Sequence, residues 1–250
     1  YKSKKASAGL TGGLCMIPGF PWPMLDLMTA LGGGIWAFNA DGTPNVKKTV
    51  FNSAAMKANV SKYLLSGGKT NGFLKWGGCD GDFKAGKIPY AITGGWDITG
   101  MKTALGSKLA IASLPGVKAG TFGRPFAGYQ GIYVTTFSSG HGVYSGAVQF
   151  ATKYMSSAAA QAKLSAIGGR PAANKGAAGV ITDKLVKGLI ESGSHGILQV
   201  DLYLGNAAGG SNYWDLIGDV FDKMLNKGAD VSATLDAGAK VLLKDWAAAK

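Results

Sequence analysis

Glutamate is nearly missing from this chain: the 250 residues hold one, Glu191, and among the basic residues only two arginines, Arg124 and Arg170. Charged residues make up 16% in all, and lysine leaves an excess of +12. Exposed helix faces ordinarily carry Glu, Lys and Arg, so here they rest on lysine, aspartate and small neutral residues. That positive balance invites a nucleic-acid reading, because clustered Lys and Arg release phosphate counterions. The clustering is missing. The 24 lysines are scattered, apart from Lys2-Ser3-Lys4-Lys5 and Lys47-Lys48, and the two arginines that could grip phosphate or guanine bidentately stand alone. No nucleic-acid partner is expected; a diffuse basic surface suits an anionic cell envelope.

Long apolar runs are absent too. Nothing reaches the roughly 18 residues a membrane span needs, and residues 1–20 lack the charged, apolar, small order of a signal peptide. The chain reads as soluble and as mature or truncated. Cys15 and Cys79 are the only cysteines, too few for a zinc cage, which leaves either one disulfide in an oxidising compartment or two buried thiols. A bond requires Cα atoms within about 7 Å.

Catalytic and cofactor motifs are equally sparse. His141 and His195, the only histidines, sit beside glycines with no metal-binding spacing and read as loop residues. Ser138-Ser139-Gly140-His141 is not a nucleophile elbow, and neither Gly77-Gly78 nor Gly94-Gly95 belongs to a phosphate-cradling motif. Asp80-Gly81-Asp82 resembles the start of a calcium loop but lacks the remaining ligands. Thirteen aspartates offer no marked pair for glycoside hydrolysis. No enzyme activity, metal or cofactor is expected.

What is present is a core-sized apolar fraction, 46%, broken by 40 glycines. Short strands are expected at 14–17, 35–38, 88–92, 109–114 and 129–134. Pro18–Pro23 reads as an irregular loop, with a helix from 24 to 31. Asn52-Ser53 offers caps to a helix that ends at Gly67-Gly68. From Val143 helical patterns dominate, at 143–155, 158–167, 181–191, 213–227 and 231–248. Strands mixed with helices, then helices alone, predict an α/β class with at least one open sheet.

Aromatic residues stand where the chain turns. Phe20 and Trp22 lie among prolines, Trp96 follows Gly94-Gly95 at a strand end, and Tyr213-Trp214 opens a helix after Gly209-Gly210-Ser211-Asn212. Turns and strand ends are where sites are built. A flat ring suits the C–H face of a sugar while neighbouring polar groups bond its hydroxyls; a core or interface aromatic is the competing reading for each.

The order of these elements resembles the extracellular solute-binding proteins of carbohydrate ABC transporters, the family of the maltose-binding protein. It rests on Phe20-Pro21-Trp22-Pro23, Ala30-Leu31-Gly32-Gly33, Asp41-Gly42 and Asn52-Ser53-Ala54-Ala55. It continues through Phe83-Lys84-Ala85-Gly86-Lys87-Ile88-Pro89-Tyr90-Ala91-Ile92-Thr93-Gly94-Gly95-Trp96, Ser113-Leu114-Pro115-Gly116 and Arg124-Pro125-Phe126-Ala127-Gly128. Gly168-Gly169-Arg170-Pro171-Ala172-Ala173 and Tyr213-Trp214 complete it. Each motif is weak alone; the order is specific and spans nearly the whole chain.

The resemblance implies a two-lobed, type II periplasmic-binding-protein-like α/β fold, its sheets flanked by helices. Residues 1–110 and 181–250 would form the second lobe and 118–176 the remainder of an incomplete first lobe, leaving apolar surface there. It also implies capture of a mono- or oligosaccharide, maltodextrin-like, between lobes that close by hinge motion, and delivery to membrane permease subunits. The location would be extracellular or periplasmic, with membrane anchoring through a removed or absent N-terminal lipoprotein segment. Trp96, Trp214, Tyr213, Phe20 and Trp22 match the family's sugar-stacking aromatics, with Trp96 and Trp214 expected to face one cleft. The acidic residue the family places before the aromatic loop is replaced by Ile17-Pro18. The isolated 250 residues are expected to bind sugar weakly. Two other classes compete: an enzyme on the same scaffold, which would hydrolyse its glycoside, and an envelope adhesion or structural protein, which would show no lobe closure.

Overall fold

A computed structural model describes residues 5–16, 21–41, 43–128, 130–198 and 212–248. Three strands, β1 (Leu14–Met16), β4 (Leu74–Trp76) and β5 (Tyr90–Ile92), form a parallel sheet in the order β4-β1-β5. Met16 pairs with Trp76 on one side and Ile92 on the other, so all three strands end at the same edge. β2 (Trp36–Phe38) and β3 (Pro44–Thr49) form an antiparallel hairpin, and β6 (Phe126–Ala127) pairs in parallel with β7 (Ile197–Leu198).

The helices follow from local chemistry. α1 (Pro21–Ala30) starts among prolines that were expected to keep 18–23 irregular. The first-turn N–H groups of a helix have no intrahelical acceptor, so Pro21 and Pro23 cost nothing there and Trp22 belongs to the helix. Ser53 caps α2 (Ala54–Asn59), its hydroxyl accepting the Met56 N–H at 3.1 Å. The helix widens into π-type turns over Val60–Lys69, where Cβ atoms at Gly67 and Gly68 would stand 2.9 and 2.8 Å from the Lys62 and Tyr63 carbonyls. α3 is Asp80–Lys84 and α4 Ile98–Leu105.

Beyond β6 come α5 (Phe137–Gly140), α6 (Tyr144–Gln149, extended by π-type turns to Met155), α7 (Ala158–Gly168), α8 (Lys175–Ala178) and α9 (Lys184–Ser194). Expected from residue 181, α9 begins at Lys184 because the Asp183 carboxylate accepts the Leu185 and Val186 N–H groups at 2.8 and 3.3 Å. α10 (Tyr213–Leu225) and α11 (Val231–Ala248) close the described chain.

Two expected strands do not form. Residues 109–113 pair with no strand, and only at Leu114, whose carbonyl accepts the Gly123 N–H at 2.8 Å, does pairing begin; the Ile111 carbonyl lies 2.5 Å from where a Cβ on Gly188 of α9 would stand. Their neighbour is a helix, which offers no ladder. The described part of 129–134 is likewise unpaired, with Ile132 and Tyr133 exposed. β-propensity is a statement about fitting a sheet, and no partner strand lies there among the described residues.

The main core unites β1, α1, β2, α2, β4, α10 and α11, with Phe51, Met56, Ile217 and Phe221 fully buried. Trp76 stacks on Phe221 at 6.0 Å, and Trp36 meets Trp246 at 5.1 Å. A second cluster gathers Phe83, Ile88 and Met101 around a Cys15–Cys79 disulfide whose Cα atoms are 5.7 Å apart, resolving the thiol alternative. No described residue between 128 and 196 joins either cluster. That stretch instead exposes Tyr133, Phe137, Tyr144, Phe150 and Tyr154, the apolar surface expected around 118–176.

Candidate functional site

The C-terminal edge of a parallel sheet is where open α/β folds place ligands, because the strand-to-helix turns there are free to vary. At that edge β5 leaves the sheet through Thr93-Gly94, turns tightly over Gly95–Asp97 and enters α4. Two bonds lock the turn. The Asp97 N–H donates to the Gly94 carbonyl at 3.2 Å, and the Thr93 hydroxyl donates to the Asp97 carboxylate across a short hydrogen bond. A cation stands nearby: Lys84, whose ammonium lies 2.6 Å from Asp80, is held above its ordinary pKa first by that hydrogen bond and in small part by the charge of Asp97.

Between the locked ends stands Trp96, 45% exposed, its six-membered ring lying against Gly94. This is a large, half-exposed apolar ring at a sheet edge, with the polar side chains of Thr93 and Asp97 close by in sequence. Tyr213 has a different place. It is fully buried at the start of α10, edge-on to Trp36 at 6.0 Å, and its hydroxyl donates to the Leu242 carbonyl at 3.3 Å. A ring enclosed on all sides presents no face to a ligand, so Tyr213 works here as a core residue. Trp22 and Trp214 occupy the first turns of α1 and α10, but their side chains, like all of Phe20, lie outside the described residues. The expected shared cleft of Trp96 and Trp214 therefore also falls outside them.

Two cavities open elsewhere. One, about 370 Å³, lies between α1 and the β2–β3 hairpin, lined by Leu25, Trp36, Phe38 and Phe126, with the Arg124 guanidinium 5.0 Å above the Phe38 ring. The other, about 410 Å³, lies where α4, α7 and α9 meet, beside a Lys102–Asp183 ion pair of 3.0 Å. Among the described residues no group of three or more His, Cys, Asp or Glu is placed to hold a metal ion. His195 stacks on Phe122 at 4.3 Å, whereas Asp80 pairs with Lys84 and Asp82 accepts from Thr11 at 2.6 Å. Sequence reasoning marked Gly94 only as a turn former; its contact with the indole two residues on is legible in the Gly-x-Trp spacing once the turn is known.

The sequence matches the family of bacterial extracellular solute-binding proteins over residues 8–187. The chain belongs to that family. No curated protein matches it. Among solved structures, a cyclo/maltodextrin-binding protein complexed with maltotetraose superposes with a TM-score of 0.71 at 19% identity, over 93% of this chain and 58% of that one. The Thermus thermophilus maltotriose binding protein bound with maltotriose gives 0.70 at 21% identity, over 98% of this chain and 65% of the other. The chain thus spans roughly three-fifths of the length of these solute-binding proteins and shares their α/β fold. Among the described residues no helix is long and apolar enough to cross a membrane.

Proposed function

We propose that this solute-binding protein captures a maltodextrin-like mono- or oligosaccharide outside the cell and delivers it to the permease subunits of an ABC transporter. The observation that carries the reading is Trp96: a half-exposed indole held at the C-terminal edge of the parallel sheet in a chain of this family. Binding proteins of this kind need no covalent chemistry. Their task is to enclose a ligand, and the closed form is what a transporter distinguishes.

The lobe division proposed from the sequence, 1–110 with 181–250 and 118–176 apart, is supported in its middle part by the two clusters, which draw nothing from 128–176, whereas α9 also stays outside them and Phe126 packs against the main core. In this reading β6 and β7, together with the Pro115–Phe122 bridge, are the crossing strands about which the lobes hinge. The buried disulfide suits an oxidising, extracytoplasmic location, and a lipid anchor would hold the protein near its permease.

The test is a maltotriose titration followed by tryptophan fluorescence and amide NMR shifts. A saturable, saccharide-specific response is expected, weaker than about micromolar for this chain alone because a sugar stacked on one side leaves most hydroxyls in water. Trp96→Ala should remove about 1–3 kcal/mol of that binding. No response to any maltooligosaccharide or to glucose would sink the carbohydrate assignment; hydrolysis of the titrant would replace transport with catalysis.

A further inference from the structure

We infer that Gly94 is a positioning residue for the saccharide platform: the absence of a side chain there lets the Trp96 indole lie flat on the backbone at the end of β5, fixing the ring before any ligand arrives. The inference rests on Trp96 being the sugar-stacking residue, but its central claim concerns the ring alone.

The backbone at Gly94 does not require glycine. Its φ of −112° and ψ of 174° are extended values that any residue adopts. What requires glycine is the ring. A Cβ built on Gly94 would fall among the Cη2, Cζ3 and Cζ2 atoms of Trp96, overlapping three atoms of the six-membered ring at once. The indole therefore packs on the Gly94 Cα, and one of its faces is supported by main chain instead of by a mobile side chain. Gly95, its neighbour, is different: a Cβ there meets only Leu189 Cδ1, at an ordinary 3.7 Å.

The support is itself fixed. Gly94 follows the last paired residue of β5, Ile92, by two positions, its carbonyl accepts from the Asp97 N–H, and Thr93 and Asp97 clasp each other through their side chains. The ring thus stands on a segment pinned at both ends, so it enters binding with its rotamer already chosen. Ordering a free aromatic side chain on binding carries an entropic penalty that preorganisation removes.

The experiment compares wild type, Gly94→Ala, Gly95→Ala, Trp96→Ala and the Gly94→Ala/Trp96→Ala double variant in the full chain. Residue-resolved hydroxyl-radical footprinting reads the Trp96 ring without any ligand; maltotriose titration reads affinity. Gly94→Ala should raise the modification rate of Trp96 while the other tryptophans keep theirs, and raise the maltotriose Kd about tenfold. Gly95→Ala should change neither. In the Trp96→Ala background the alanine at 94 should be silent in both thermal midpoint and affinity, because the atoms it would strike are gone; this comparison also serves if Gly94→Ala alone folds poorly. An unchanged Trp96 footprint in Gly94→Ala, or equal destabilisation with and without the indole, overturns the inference. If the footprint shifts as expected while wild type ignores maltotriose, the positioning role stands and the carbohydrate reading fails. If wild type binds maltotriose and Gly94→Ala binds it equally well with an unchanged footprint, the carbohydrate reading stands and the positioning role fails.

Discussion

Replacing both cysteines by alanine is expected to lower the unfolding free energy by about 2–5 kcal/mol. Cys15 lies in the central strand β1 and Cys79 immediately before α3, 64 residues apart, so the bond closes a loop that includes α1, the hairpin, α2 and β4. Loop-closure entropy for that span comes to roughly 4 kcal/mol in the chain-entropy treatment. A packing loss adds to it, since both cysteines are buried, at 2% and 3% exposure, against Phe83, Ile88 and Met101. For a chain of this size the thermal midpoint should fall by about 5–15 °C. The loss should be local at first: hydrogen exchange ought to quicken in α3 and β5 before the main core around Phe221 responds. Calorimetry and denaturant titration of Cys15→Ala/Cys79→Ala check this, and an unchanged midpoint would mean that the bond constrains nothing the folded sheet does not already hold.

That pair illustrates what the sequence could disclose. Two cysteines in a chain without zinc spacing left a bond and two thiols as alternatives, and only the parallel pairing of β1 beside β4, with α3 following, brings residue 79 under residue 15. Caps and apolar periodicity were legible at short range: Ser53 and the helices over 158–168 and 231–248 follow from them, whereas the glycine pair 67–68, expected to end the second helix, lies inside its π-type turns, which run on to Lys69. Partners at long range were not. The segments 109–114 and 129–134 have strand-like residues, yet being a strand needs a neighbour, and no local pattern says whether one exists. The burial of Tyr213 was illegible for a related reason. Its glycine-rich approach pointed to an exposed helix start, whereas the helix it opens is buried between α1 and α11, so its first turn already faces Trp36. The place of Trp96 at a strand end was legible because strand, double glycine and indole are consecutive. The role of Gly94 needed coordinates: the same two glycines can serve a turn without touching a ring.

Asp26→Asn is expected to stabilise the protein at neutral pH and to leave it nearly unchanged near pH 4. Asp26 lies in α1 facing the loop before β6, so close to Gly123 that a Cβ on that glycine would overlap the carboxylate. Its Oδ1 is buried with no hydrogen-bond partner among the described residues, and Arg124, next in the loop, directs its guanidinium over Phe38. Burial alone pushes the Asp26 pKa from 3.8 up to about 6. The native state therefore keeps a proton that the unfolded chain has already released, so stability falls as pH rises from about 4 to about 6 and stays reduced above that. The full difference corresponds to roughly 3 kcal/mol, of which an amide of the same shape should recover about 1–3 kcal/mol at pH 7. Other aspartates act with the opposite sign. Asp236, held low first by its hydrogen bond from Lys57, and Asp183, held low first by that from Lys102, lend stability that disappears as pH drops through the carboxylate range. Both proteins share those contributions, so the difference between the wild-type and Asp26→Asn curves isolates residue 26. Urea midpoints measured from pH 3.5 to 7.5 should diverge between about pH 4 and 6, with the variant higher; parallel curves would show that the carboxylate is solvated in the native state. Because the Thr29 hydroxyl accepts the Arg124 N–H at 2.7 Å one turn further along α1, the same charge bears on how firmly the helix holds the strand leading into β6. Exchange protection at Arg124 should accordingly rise in the variant at pH 7 and match wild type at pH 4.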